Sequence, residues 1–289
     1  MEEVRVTAIL QHPGPPVLRS GKQMINPGSV CNVRHPLRRQ HADISDPFRV
    51  WDLADPLEVL YEIEALGQRA DFALAARRSN VAERLTPTQE GWFVAVRKKA
   101  RSVRVGPFDR DALAALAPEL PRTLKSPKDF ASLPSKLAAV GVRLVHLEAF
   151  PSSKIDGCAF MLDGVPVIGL SGRGHCLDKV LFTLLHEVAH LVLDHVGETP
   201  IVEDADEVAA PEDDTESAAN EMAQVWALPG GLPVEPFRVS EAWVTTMAER
   251  ADVNPIVVIG RLQYSGLLSW RTSLVKNAPT VAAQLAEWK

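Results

Sequence analysis

The stretch from Val180 to His195, VLFTLLHEVAHLVLDH, restricts what this chain can fold into more than any other. Leu181, Leu184, Leu185, Val188 and Val192 recur three and four residues apart, which predicts an amphipathic helix. Set into that apolar run are His186, Glu187 and His190. Burying three ionisable side chains without partners would cost several kcal/mol. A metal ion removes that cost. Residues four apart on a helix lie one above the other, so His186 and His190 point the same way. Two neutral imidazoles so placed can hold one Zn²⁺ at roughly 2.0–2.1 Å each. Glu187 is turned about 100° further round the helix. It misses the ion yet reaches the water that such an ion activates, which is where a general base belongs.

A catalytic zinc needs a third protein ligand and an open position. The run Asp213-Asp214-Thr215-Glu216-Ser217-Ala218-Ala219-Asn220-Glu221-Met222-Ala223 predicts another helix. Asp and Thr supply its cap, and Ala218, Ala219, Met222, Ala223, Val225 and Trp226 its apolar side. Glu216 and Asn220 share a face. Glu216 suits the third ligand position; it also suits an ordinary first-turn glutamate favoured by the helix dipole. Asn220 can hold a ligating histidine from behind.

His186-Glu187-x-x-His190, Glu216-x-x-x-Asn220, Met222-Ala223 and Leu228-Pro229 together resemble the signature of the ImmA/IrrE family of metallopeptidases. The resemblance reaches upstream to the hairpin at about 155–171, weakly to about residue 55, and downstream to 253–270. It implies zinc bound by His186, His190 and Glu216, and water activated by Glu187. It also implies a substrate: a helix-turn-helix repressor, cut so that transcription is released under stress or element mobilisation. Two departures stand out. The slot that often carries a histidine eight residues after the first is Asp194, with His195 next, and the run Ser217-Ala218-Ala219-Asn220 lacks the glutamate usual just before Ala-Asn. A metzincin pattern would place its third histidine at the position of Val196 and is excluded. The donor set also admits Mn²⁺ or Fe²⁺.

The formal net charge of -6 argues against a protein that coats nucleic acid through its overall charge and leaves only local basic patches. Arg34, His35, Arg38, Arg39 and His41 form one, and Arg97 to Arg104 another. Both read more simply as solvated segments, the second as cations at a helix C-terminus. Cys31, Cys158 and Cys176 form no C-x-x-C pair and read as free thiols of a reducing compartment. No signal peptide and no apolar run of the roughly 20 residues needed to span a bilayer is visible, so the expected place is the cytoplasm.

The expected fold class is α+β: mainly helical, with a small antiparallel sheet packed beside the zincin-like HExxH helix. Residues 1–50 form an irregular N-terminal segment without a recognisable helix-turn-helix. Residues 51–125 read as a helical N-terminal region, with helices over 56–66, 72–81 and on to 85, 88–100 and 109–116. Pro118, Pro121 and Pro127 mark a linker. Residues 126–229 are the catalytic domain: a helix over 130–140 closed by Gly141, a strand over 142–146, and a hairpin of 158–162 with 165–170 about Asp163-Gly164. Such hairpins beside zinc helices can bind an extended peptide by strand addition, so Val165 to Leu170 is expected to border a substrate cleft. Arg173 and His175, in the glycine-rich segment that follows, are candidates for substrate or oxyanion contact. Glu203 to Asp214 are an acidic, irregular connection, and residues 230–289 a helical C-terminal region capped at Ser240 and Asn254.

The function expected from these residues is a zinc-dependent endopeptidase acting on a protein substrate, without a membrane partner. The alternative is a non-catalytic regulator, an antitoxin-like module binding DNA or a partner protein, with a structural or vestigial metal site.

Overall fold

A computed structural model describes residues 77–78, 81–151, 153–197, 201–203, 214–232 and 239–288. All of them lie in the second of the two units into which the chain divides, Ser45–Lys289. The irregular N-terminal segment, the basic cluster at 34–41, Cys31 and the expected helix over 56–66 fall outside the described residues.

The fold is α+β and mainly helical. In chain order the described elements are β1 (Arg77–Arg78), β2 (Val81–Arg84), α1 (Pro87–Ser102), α2 (Arg110–Leu116), α3 (Leu120–Thr123), α4 (Leu133–Ala139), β3 (Arg143–His146), β4 (Gly157–Leu162), β5 (Val165–Leu170), α5 (Leu177–Val192), β6 (Ile201–Glu203), α6 (Asp214–Ala227), α7 (Glu241–Ala251), α8 (Pro255–Tyr264) and α9 (Ala282–Glu287). The strands form one sheet in the order β2-β1-β6-β4-β5-β3. It is mixed rather than wholly antiparallel. β4 pairs antiparallel with β5 and β6, whereas β3 runs parallel to β5, and β1 parallel to β6. The hairpin turns at Asp163 (φ 53°) and Gly164 (φ 75°), the left-handed pair that a two-residue turn demands.

Alternation along the strands assigns each side chain to one of two cores. Val145, Cys158, Phe160, Leu162 and Val167 face Trp92, Phe93 and Val96 of α1. Leu144, Ala159, Ile168 and Leu170 face the larger core built on Leu177, Leu181, Leu184, Leu185 and Val188 of α5. The sheet is therefore covered by α1 on one face and by α5 on the other. Gly157 shows how close α5 comes: a Cβ there would lie 2.8 Å from Cγ2 of Thr183 and 2.7 Å from Oε1 of Glu187.

Several expectations are corrected. Residues 77–78 and 81–84 are strands, not the continuation of a helix, because β1 finds a parallel partner in β6. Helix α1 starts at Pro87, capped by Thr86 and Gln89 in a reciprocal box. Pro118, Pro121 and Pro127 do not mark a linker; each sits in the first turn of a short helical segment, where its missing N–H costs nothing. Leu120, Leu124 and Phe130 there are fully buried. Helix α5 ends at Val192, so His195 lies beyond it. Strand β5 is hydrogen-bonded on both sides, by β3 and β4, so Val165–Leu170 offers no free edge to a peptide.

The C-terminal region starts as the sequence predicts, with Ser240 and Asn254 capping α7 and α8. Both helices bury Val244, Ala248, Ile256, Val258 and Leu262 in the same core as α5. Among the described residues, no helix is long and apolar enough to cross a membrane.

Candidate metal centre

Three side chains from two helices converge beneath the surface. His186 and His190 come from α5 and Glu216 from the first turn of α6, and all three are buried. The two Nε2 atoms are 2.9 Å apart. Glu216 sets Oε2 3.3 Å from Nε2 of His186 and Oε1 3.4 Å from Nε2 of His190. The edge of a tetrahedron with bonds of 2.0–2.1 Å is about 3.3 Å, and each ring already lies at about that distance from one of the two carboxylate oxygens. The Nε2 pair is tighter and has to open by a few tenths of an ångström to admit an ion. Among the described residues this is the one group of three or more His, Cys, Asp or Glu side chains able to hold a metal ion.

The far nitrogens of both rings are also engaged. Nδ1 of His186 lies 3.0 Å from Oδ1 of Asn220, one helical turn after Glu216. A carbonyl oxygen only accepts, so His186 carries its proton on Nδ1 and keeps the Nε2 lone pair for the centre. Nδ1 of His190 lies 3.1 Å from Nδ1 of His195. The donors, their spacing and their outer partners fit a divalent cation.

Electrostatics agree with that fit. Burial pushes the Glu216 carboxyl upward, but the close approach of the His186 and His190 rings outweighs it and brings the pKa down to about 2. Burial lowers the pKa of His190, and the charge of His186 adds to this. The centre thus holds an ionised carboxylate beside an imidazole that resists protonation, the states in which both bind cations.

Glu187, buried at 1% exposure, leaves the ring pair and lies against Gly157 and Thr183 under β4. Cys158, the next residue on β4, turns to the opposite face of the sheet against α1. Burial, and then the charge of Glu187, push this thiol's pKa up, so it stays a neutral thiol rather than a nucleophile. Helical periodicity places Lys179, Thr183, His186, Glu187 and His190 on one broad side of α5. That side faces the start of β4.

Arg173 and His175 find their contacts elsewhere. Arg173 lies 3.7 Å from Oδ1 of buried Asp156, which Lys179 approaches to 3.2 Å, and donates to the carbonyl of Lys154. The backbone of His175 accepts from Val281. Sequence reasoning missed Gly157, Asp156 and the use made of His195. A small residue opening the strand before a base-bearing helix was a readable signal for Gly157. His195, one residue past the slot occupied by Asp194, had none.

Searches with this chain matched no protein-family model and no curated protein.

Proposed function

We propose that the chain is a zinc-dependent endopeptidase. The observation that carries this reading is the convergence of the Nε2 atoms of His186 and His190 with the Glu216 carboxylate, each ring held from behind. A structural site closes with four protein donors; here the described residues provide three, which leaves a position for water. When bound, the ion supplies Lewis acidity, making a water acidic near neutral pH and polarising a peptide carbonyl. Glu187 takes the proton as water attacks that carbonyl and delivers it to the leaving amine. Its burial against Gly157 keeps the carboxylate in a dry setting where its basicity counts. Asn220 keeps the His186 ring in orientation throughout.

The sequence pattern resembles the ImmA/IrrE metallopeptidases, and on that ground the substrate proposed is a helix-turn-helix repressor, cleaved in the cytoplasm to release transcription. The decisive assay incubates the chain with a helix-turn-helix protein encoded beside it, with and without chelator, and reads products by mass spectrometry. Glu187→Gln is expected to keep the metal and abolish cleavage. Retained proteolysis in that variant would remove Glu187 from its role.

A further inference from the structure

The two rings of the centre are backed by different chemistry. Asn220 presents an amide oxygen to His186, and that settles where the His186 proton sits. His190 faces another imidazole, and an imidazole nitrogen either donates or accepts. Were His195 to donate, the His190 proton would move to Nε2. It would then point at Nε2 of His186, 2.9 Å away, and at Glu216 Oε1, 3.4 Å away, and block the position an ion needs.

We propose that His195 is the positioning residue of His190. Its Nδ1 lone pair accepts the Nδ1–H of His190, so that the Nε2 lone pair of His190 is fixed toward the centre. This inference rests on the metal site proposed above. The fold builds the contact deliberately. Helix α5 stops at Val192, and Asp194 takes a left-handed conformation (φ 61°) that turns the chain back. The His195 N–H then donates to the His190 carbonyl over 3.0 Å, closing the turn beneath the ring it supports. The Asp194 carboxylate is ion-paired with Arg110 of α2, which ties the turn to the body of the protein. The rings meet at 61°, with centroids 5.3 Å apart, so they touch through nitrogens rather than faces. His195 itself is half-buried, and its Nε2 can carry the ring's proton. An imidazole adds no negative charge behind His190, so a bound cation would keep more of its charge than behind a carboxylate-backed histidine.

The test uses the full chain and Co²⁺, whose visible spectrum reports ligand geometry. Affinity is read by competition with a chromophoric chelator, and folding by thermal unfolding. His195→Ala is expected to weaken Co²⁺ binding by roughly 10–100-fold, the usual loss when an outer partner is removed, and to shift the Co²⁺ absorption bands. His195→Gln, whose side-chain oxygen can accept the same N–H, is expected to recover most of the affinity and the spectrum. Binding by His195→Ala within twofold of wild type, with unchanged bands, overturns the proposal. So does a Gln variant as impaired as the Ala variant, because ring packing and not acceptance would then be the cause. A wild-type chain that binds no Co²⁺ sinks this inference together with the metal site. One that binds Co²⁺ as expected yet cleaves nothing sinks only the peptidase reading.

Discussion

A Cβ at Gly157 would fall 2.7 Å from Oε1 of Glu187 and 2.8 Å from Cγ2 of Thr183. The glutamate can swing aside, but a β-branched threonine is stiff, so the relief comes mainly from moving the base. Gly157→Ala is expected to cost about 1–3 kcal/mol in stability, the usual price of overpacking. Its effect on cleavage should be larger, on the order of 100-fold, because a misplaced proton acceptor loses its alignment with the reacting atoms. Measuring kcat beside the urea midpoint separates the two, and an activity loss no greater than the stability loss explains would count against Glu187 as base. At this scale the sequence was informative about which residues, not about their surroundings. The HExxH spacing gave His186, Glu187 and His190, because four residues make one turn. Asn220 follows from Glu216 for the same reason. The role of His195 was not legible, because it depends on where a post-helical turn comes to rest, and that of Gly157 was signalled only by its place at the start of a strand.

Among the elements, α1 shows how a helix can secure the sheet that positions the centre. Trp92 is fully buried, and its indole N–H donates to the carbonyl of Leu147 over 2.9 Å, just after β3. Gln89, also buried, donates to the carbonyl of Ser153. Trp92→Phe should leave the Leu147 carbonyl without this donor and open a gap in the core against β4 and β5. The expected cost is about 1–3 kcal/mol, readable as a lower urea midpoint with an unchanged slope. A variant as stable as wild type would show that the indole bond contributes little. The helices with strong periodicity (α5) or good caps (α1, α7, α8) were legible, since propensity and burial agree there. The two-residue β1 and the four-residue β2 were not. Strands that short are made by their partner, and β6 lies more than a hundred residues away in sequence.

Across the whole molecule, His146 joins segments from opposite parts of the chain. It lies on β3, buried at 7% exposure, with its ring edge-on to Trp288 near the C-terminus. Lys99 of α1 donates to the carbonyls of both residues. Gly172 lets the chain after β5 pass against the ring, since a Cβ there would lie 3.0 Å from Nε2. Burial, with the Lys99 charge behind it, depresses the His146 pKa from 6.5 to about 4. The unfolded chain therefore binds this proton more readily than the folded one. The stability that follows is fully present above pH 6.5 and is lost as pH falls toward about 4, reaching roughly 3 kcal/mol at the acid end. His146→Gln removes this titration while leaving that of His190 in place. Comparing melting temperatures from pH 7 to pH 4 should show wild type falling faster than the variant, and parallel curves would rule the assignment out.

The sequence by itself determined the main helices, the hairpin turn and the identities of the candidate ligands. These depend on periods of two and 3.6 residues and on local cap and turn chemistry, all carried by neighbours in the chain. Only the tertiary structure decided that the sheet is mixed, that β5 is interior, and that the helices beyond Gly230 share the core of α5. It alone set Glu216 within reach of both rings and brought His195 back beneath His190. Such contacts join segments whose separation in sequence carries no periodic signal. They arise when the α5 face is buried against the sheet, and no local rule encodes the distance that burial leaves between two helices.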